Sequence, residues 1–240
     1  MPSAAALVLT VTALVGAGCA RGDGEAFPWG SEHVTLDPRE LGPQIDNPYW
    51  PMRPGARWTY REVDADGSVR RVVVTVTGRT RTILGVEARV VHDVVSEAGE
   101  LVEDTYDWYA QDEEGNIWYL GEDTKEFQGG RVVSTAGSWE AGKDGAEAGI
   151  LLPGEPEVGL AYRQEYYAGE AEDAAAVLSL EERVQVPAGF YRDVLMTKEF
   201  TPLAPGALEY KFYARGVGPV LALTVSGGSD REELVEHVAP

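Results

Sequence analysis

From Gly55 onward the chain is written in short runs of β-branched and aromatic residues, each cut off by Gly or by an acidic turn. Arg57-Trp58-Thr59-Tyr60-Arg61 alternates, and Asp64-Ala65-Asp66-Gly67 closes it with an Asp-Gly pair suited to a tight hairpin. Residues 72–77 form a β-branched run, Gly85 breaks the next stretch, and residues 87–95 read as another strand. Glu97-Ala98-Gly99-Glu100 and Asp112-Glu113-Glu114-Gly115-Asn116 are turns around a strand at 101–110, with 117–120 as its partner. This spacing predicts an antiparallel all-β domain. A sheet that buries one face of each strand predicts a curved sheet, a half-barrel or a β-sandwich.

The second half follows the first at a shift of 104 residues. Gly55 meets Gly159, Trp58 meets Tyr162, Arg79 meets Arg183, Gly85 meets Gly189, and Tyr106-Asp107-Trp108-Tyr109-Ala110 meets Tyr210-Lys211-Phe212-Tyr213-Ala214. Self-similarity at a fixed period predicts two similar β units. The units are expected at 49–120 and 158–238, forming one compact domain over 49–238, with an acidic, Gly-rich insert at 121–157 between them. The Ala-, Glu- and Leu-rich stretch 168–183 also fits a helix, but the repeat assigns 176–180 to a strand.

The amino end reads as an address. Residues 4–17 are small and apolar, and the lone cysteine, Cys19, follows directly. About 14 apolar residues are too few for a permanent span but suit a signal segment. The placement resembles a bacterial lipobox, which implies a signal peptide at 1–18, lipidation of Cys19, export and a membrane anchor. Gly- and Pro-rich residues 19–48 are expected to form a flexible tether.

Phe212-Tyr213-Ala214-Arg215-Gly216-Val217-Gly218-Pro219-Val220 resembles the strand–turn–strand signature Tyr-Tyr-Ala-Pro-Gly-Val-Gly-Leu-Val of uncharacterised bacterial secreted and lipoprotein β families. Val186-Pro187-Ala188-Gly189-Phe190 is similar to the strand before it in those families, and 106–124 and 164–167 carry further likeness. Arg215 stands where Pro is usual. The resemblance covers residues 49–235 and implies an antiparallel envelope protein, with no catalytic residues to carry over.

Composition limits the function classes. Forty acidic and 20 basic residues give a formal charge of −20, which argues against binding nucleic acid. One cysteine rules out an internal disulfide and a Cys-cluster metal site. Gly-x-Ser-x-Gly and His-Glu-x-x-His motifs are both missing, and His92-Asp93 points to opposite faces of one strand.

Three site expectations remain. Tyr106, Trp108, Trp118, Tyr119, Tyr166 and Tyr167 could form an aromatic ligand platform on a concave face, suited to an apolar, lipid-like ligand or an envelope partner. Asp64 and Asp66, Asp112 and Glu114, and Glu122 and Asp123 offer turn carboxylates for calcium, although the same residues make ordinary turns. Glu165, Glu170, Glu172 and Asp173 read as a solvated acidic loop. The leading reading is a non-enzymatic, lipid-anchored binding or structural protein, with calcium as the only cofactor considered. The alternative is a secreted hydrolase acting on carbohydrate through a carboxylate pair.

Overall fold

The computed structural model describes residues 27–240; the signal segment at 1–18 and Cys19 lie outside the described residues. Fifteen strands form one antiparallel sheet, with no helix among the described residues. The first group is β1 (Arg57–Val63), β2 (Val69–Ile83), β3 (Val86–Glu97), β4 (Glu100–Gln111) and β5 (Ile117–Gln128). Short β6 (Arg131–Ser134) and β7 (Trp139–Glu140) pair with β5, followed by β8 (Glu147–Leu152), β9 (Ala161–Arg163) and β10 (Glu165–Tyr166). The second group is β11 (Ala174–Val186), β12 (Gly189–Phe200), β13 (Leu208–Ala214), β14 (Gly218–Ser226) and β15 (Arg231–Val238).

The sheet order is β10-β8-β5-β4-β3-β2-β1-β15-β14-β13-β12-β11-β9. Two meanders meet where β1 pairs with β15. The shift of 104 lays β1, β2, β3 and β4 on β9, β11, β12 and β13, which stand in the same order along the sheet. The turns before β1 and β9 match in detail. Gly55 and Gly159 have φ of 95° and 91°, a region closed to most side chains. Ala56 N donates to Arg53 O at 2.9 Å, and Leu160 N donates to Glu157 O at 3.0 Å. The stretch 174–186 is a strand rather than a helix, because β12 and β9 pair with it from both sides.

The two ends of the sheet come together. β9 lies on β11 and β10 lies on β8, yet only Gln164 separates them. The sheet therefore curves back on itself, and this seam is closely packed. A Cβ on Gly149 would collide with the Gln164 carbonyl and would stand 2.6 Å from Arg163 O. The Arg163 side chain is buried across the seam, with Nη2 donating to Ala148 O at 2.6 Å.

Residues 27–48, the described part of the expected tether, lie against the domain. They build few ladder bonds of their own, as their Pro and Gly content dictates, but the domain supplies partners. Phe27 packs edge-on against Tyr162 at 6.1 Å. Arg163 Nη1 donates to Gly30 O and Glu32 O at 2.8 and 2.7 Å. Gly42 and Gln111 exchange backbone bonds, and Asn47 Nδ2 donates to Gly115 O and Pro153 O at 2.9 and 3.0 Å. The stretch 121–157 is likewise part of the sheet, since it begins inside β5 and contains β8.

Candidate functional site

Cross-strand register decides which side chains share a face, because partners directly opposite point the same way. In the first half, Val74 of β2 opposes Asp93 of β3, which opposes Thr105 of β4, which opposes Thr124 of β5. One step along, Val91, Asp107 and Glu122 form the next row. In the second half, Glu232 of β15 opposes Ala222, then Lys211, then Thr197. Glu209 opposes Glu199 beside that row. All these residues face the inside of the curve.

There the two halves enclose a groove of about 330 Å³. Trp50, Tyr60, Tyr109, Tyr119 and Tyr213 give it aromatic walls, and Asp93, Glu122, Glu165, Asp173, Glu199, Glu232 and Lys211 give it charge. Trp50 sits between equivalent rings of the two halves, 6.1 Å from Tyr109 and 6.3 Å from Tyr213, and edge-on to Trp58 at 6.2 Å. Its indole Nε1 and the Asp93 Oδ1 atom are withdrawn from solvent and have no hydrogen-bond partner.

The acids hold their protons unusually well. Burial pushes Glu122 up to about 9, helped by the Asp107 charge. Burial and Asp173 take Glu165 to about 8, and burial takes Glu232 to about 7. Asp107 is raised by burial to about 6, with hydroxyl hydrogen bonds from Tyr119 and Tyr109 drawing it partway back. Asp93 lies well above the usual carboxylate range, for burial first and the neighbouring acids second.

One tyrosine bridges two of these acids. Tyr119 Oη lies 2.8 Å from Asp107 Oδ1 and 3.0 Å from Glu122 Oε2. A phenol has one proton to donate. The Tyr119 hydroxyl therefore donates to one carboxyl group at a time or shares its proton between the two, and it holds Asp107 and Glu122 together at the wall of the groove.

Lys211 is the only cation of the groove lining. Its ammonium is 2.7 Å from Glu199 and 3.3 Å from Glu209. Burial lowers its hold on the proton, but the two carboxylates outweigh that and raise the pKa above the usual lysine value. Glu199 also accepts from Tyr213 Oη and Thr197 Oγ1, each at 3.2 Å.

A second cavity of about 300 Å³ is lined by Arg81, Trp108, Ser138, Trp139, Lys143 and Tyr167, and Glu122 belongs to both linings. Its cations are already matched. Arg81 and Lys143 both reach Glu140, the latter at 2.8 Å, and Arg81 stacks over Trp108 at 4.0 Å.

The aromatic residues singled out in the sequence do not form one platform. Tyr119 alone of the six lines the groove. Tyr106 and Trp108 share the opposite face of β4, where Tyr106 stacks on His92 at 4.3 Å under Arg79. Trp118 donates to Asp112 at 2.8 Å, Tyr166 lies beneath Arg163, and Tyr167 borders the second cavity with Trp108.

The turn acids also stay apart. Asp64 pairs with Arg70 at 3.0 Å, Asp66 caps its own turn through Ser68, Asp112 accepts from Asn116 and Trp118, and Asp123 pairs with Lys125 at 2.8 Å. Glu114 is exposed in its turn, and Glu122 belongs to the groove. Among the described residues, no group of three or more His, Cys, Asp or Glu is arranged to hold a metal ion.

Two members of the supposed solvated loop, Glu165 and Asp173, line the groove. The remaining groove residues were missed. Their signal was charge at inward positions of strands, as in Val91-His92-Asp93-Val94-Val95 and Tyr210-Lys211-Phe212.

No protein-family profile and no curated protein matches the chain. Two solved structures overlap it. One is a candidate exported protein with a YmcC-like fold from Bacteroides fragilis, at 14% identity and a TM-score of 0.43, covering 80% of this chain and 99% of that one. The other is a candidate lipoprotein from Parabacteroides distasonis, at 12% identity and a TM-score of 0.43, covering 79% and 98%. Likeness at this level assigns neither family nor activity.

Proposed function

We propose that the protein is an exported, lipid-anchored binding protein whose β domain holds a small polar ligand in the groove. The observation that carries this reading is the groove itself. A cavity of about 330 Å³ lies inside the curve of the sheet, and its wall takes aromatic rings and hydrogen-bonding groups from both halves. Ligand sites have this makeup and this size. The anchor is Cys19, supported by the apolar run before it and by its being the lone cysteine. The earlier expectation of an apolar, lipid-like ligand gives way, because seven charged or chargeable side chains line the cavity.

A hydrolase reading has one specific observation in its favour. Glu122, raised to about 9, and Asp107, at about 6, pair a proton-bearing acid with a carboxylate through Tyr119. Glycosidases need such a division of labour. Binding is favoured because Asp107 is buried behind its hydroxyl partners and does not flank an open cleft.

Native mass spectrometry of the full chain, purified from its own envelope, tests the two together. A retained small-molecule mass without turnover of aryl glycosides supports binding. Glycoside hydrolysis that disappears in Glu122→Gln replaces it with the hydrolase. A calcium-sized mass lost to chelator revives a stabilising ion at the turns.

A further inference from the structure

Resting on the groove as a ligand site, we infer that its ligand is a small organic cation, an amine or quaternary ammonium, and that capture expels protons from the groove carboxyl groups.

The charge inventory gives the sign. Six carboxyl groups surround a cavity with one ammonium, and that ammonium is already matched by Glu199 and Glu209. Like charges this close cannot all ionise in a desolvated site. Some of these carboxyl groups are therefore protonated, and a cation in the groove would take the place of those protons. Around Glu122 stand Asp107 and Glu103 of β4, Glu165 of β10 and the Tyr119 hydroxyl. Around Glu165 stand Asp173, Asp107, the Trp139 indole and Lys211. Only Lys211 among these is positive.

One observation independent of the charge count points to a ligand. Asp93 Oδ1 lines the groove, is sealed from solvent and accepts no hydrogen bond. A buried acceptor left unsatisfied is costly, and a cation or a donor from a ligand would satisfy it.

The walls fit the same chemistry. Trp50, Tyr60, Tyr109, Tyr119 and Tyr213 surround the space with aromatic rings, whose faces attract cations, most of all desolvated ones. The volume lies at the small end of ligand cavities, which suits an ion with few heavy atoms. Entry of a cation favours the ionised carboxylates, and the released protons pass to solvent, so charge stays balanced without any covalent step.

Isothermal titration of the full chain in detergent with choline chloride tests this, using 3,3-dimethylbutan-1-ol as its neutral isostere and glucose as a neutral polyol. The expected result is choline binding whose apparent enthalpy differs between phosphate and Tris buffers, as proton release requires. Affinity should rise about tenfold per pH unit between pH 6 and 8 for each proton released. The isostere should bind at least tenfold more weakly. Glu122→Gln should reduce the protons released; Glu232→Gln, which removes another carboxyl group of the wall, provides the same readout if the first variant fails to fold. Equal binding of choline and the isostere, or no dependence on buffer, overturns the cation. Glucose binding without proton release overturns the cation but leaves the groove as a ligand site. Silence from all three probes removes both readings.

Discussion

Asp107 and Lys211 stand 104 residues apart at matching inward positions of β4 and β13, each two residues before a tyrosine that packs on Trp50. One is an acid steadied by phenol hydroxyls, and the other is an ammonium steadied by two carboxylates. The two positions are thus alike in backbone and opposite in side-chain charge, although acids line both sides of the groove.

Replacing Lys211 with Met tests the ion pair. Glu199 would lose its counter-charge while remaining almost buried. The Lys211 side chain is 37% exposed, so screening by solvent reduces the loss to about 1–2 kcal/mol. Thermal melts should show a larger fall at pH 8 than at pH 4, where carboxylates can be neutral. A uniform fall across pH would mean that the lysine acts through packing alone.

Stability should decline with rising pH over a range where most proteins hold steady. Asp107, Glu232, Glu165 and Glu122 have folded values of about 6, 7, 8 and 9. Their unfolded values are about 4. The folded chain therefore binds more protons than the unfolded chain, and the stability this confers is complete near pH 4 and lost as pH passes each folded value. Calorimetry should find Tm highest near pH 5 and lower at pH 9, with Glu122→Gln flattening the upper part of the decline. A Tm that rises from pH 5 to pH 9 would contradict the protonated groove.

Two glycines separate backbone crowding from mere flexibility. Gly149→Ala places a Cβ against the Gln164 carbonyl and Arg163 O at the seam, where backbone cannot give way. A cost of about 2–3 kcal/mol is expected, typical of overpacking. Gly78→Ala meets nothing within 4 Å and needs no left-handed backbone, so it should change stability by less than about 0.5 kcal/mol. Urea unfolding of both variants checks the contrast, and equal effects would show that the seam is not tightly closed.

Arg163→Ala removes three hydrogen bonds, to Ala148 O, Gly30 O and Glu32 O. The carbonyls left behind put the loss at about 3 kcal/mol. Hydrogen exchange should quicken first in residues 27–34 and at β8, ahead of the strands at the middle of the sheet. Protection retained in both places would assign the arginine a lesser role.

Strand positions were legible because turn chemistry and two-residue alternation are local properties. The 104-residue shift located Ala176–Leu180 on a strand against the pull of its helix-favouring composition. The groove was much less legible. Tyr106, Trp108 and Trp118 stand out in the sequence by size, yet β4 and β5 turn them away from the cavity. Glu165 and Asp173 look like loop acids until β8 and β11 bring them inward. Asp93 and Lys211 carried a readable signal, a charge on the inward side of a strand, but which face is inward depends on long-range closure. The packing of Gly30 and Glu32 depends on Arg163, more than a hundred positions away, and that of Gly42 and Asn47 on Gln111, Gly115 and Pro153.

The clamp between Arg163 and Gly30 bears on how a lipid anchor would orient the domain. With Cys19 as the proposed anchor, seven residues separate it from Phe27, which is seated on Tyr162. A chain gains at most about 3.6 Å per residue, so the two can lie no more than roughly 3 nm apart. If Cys19 carries the lipid, the seam is the part of the domain held nearest the bilayer, and the strands at the middle of the sheet lie farther from it.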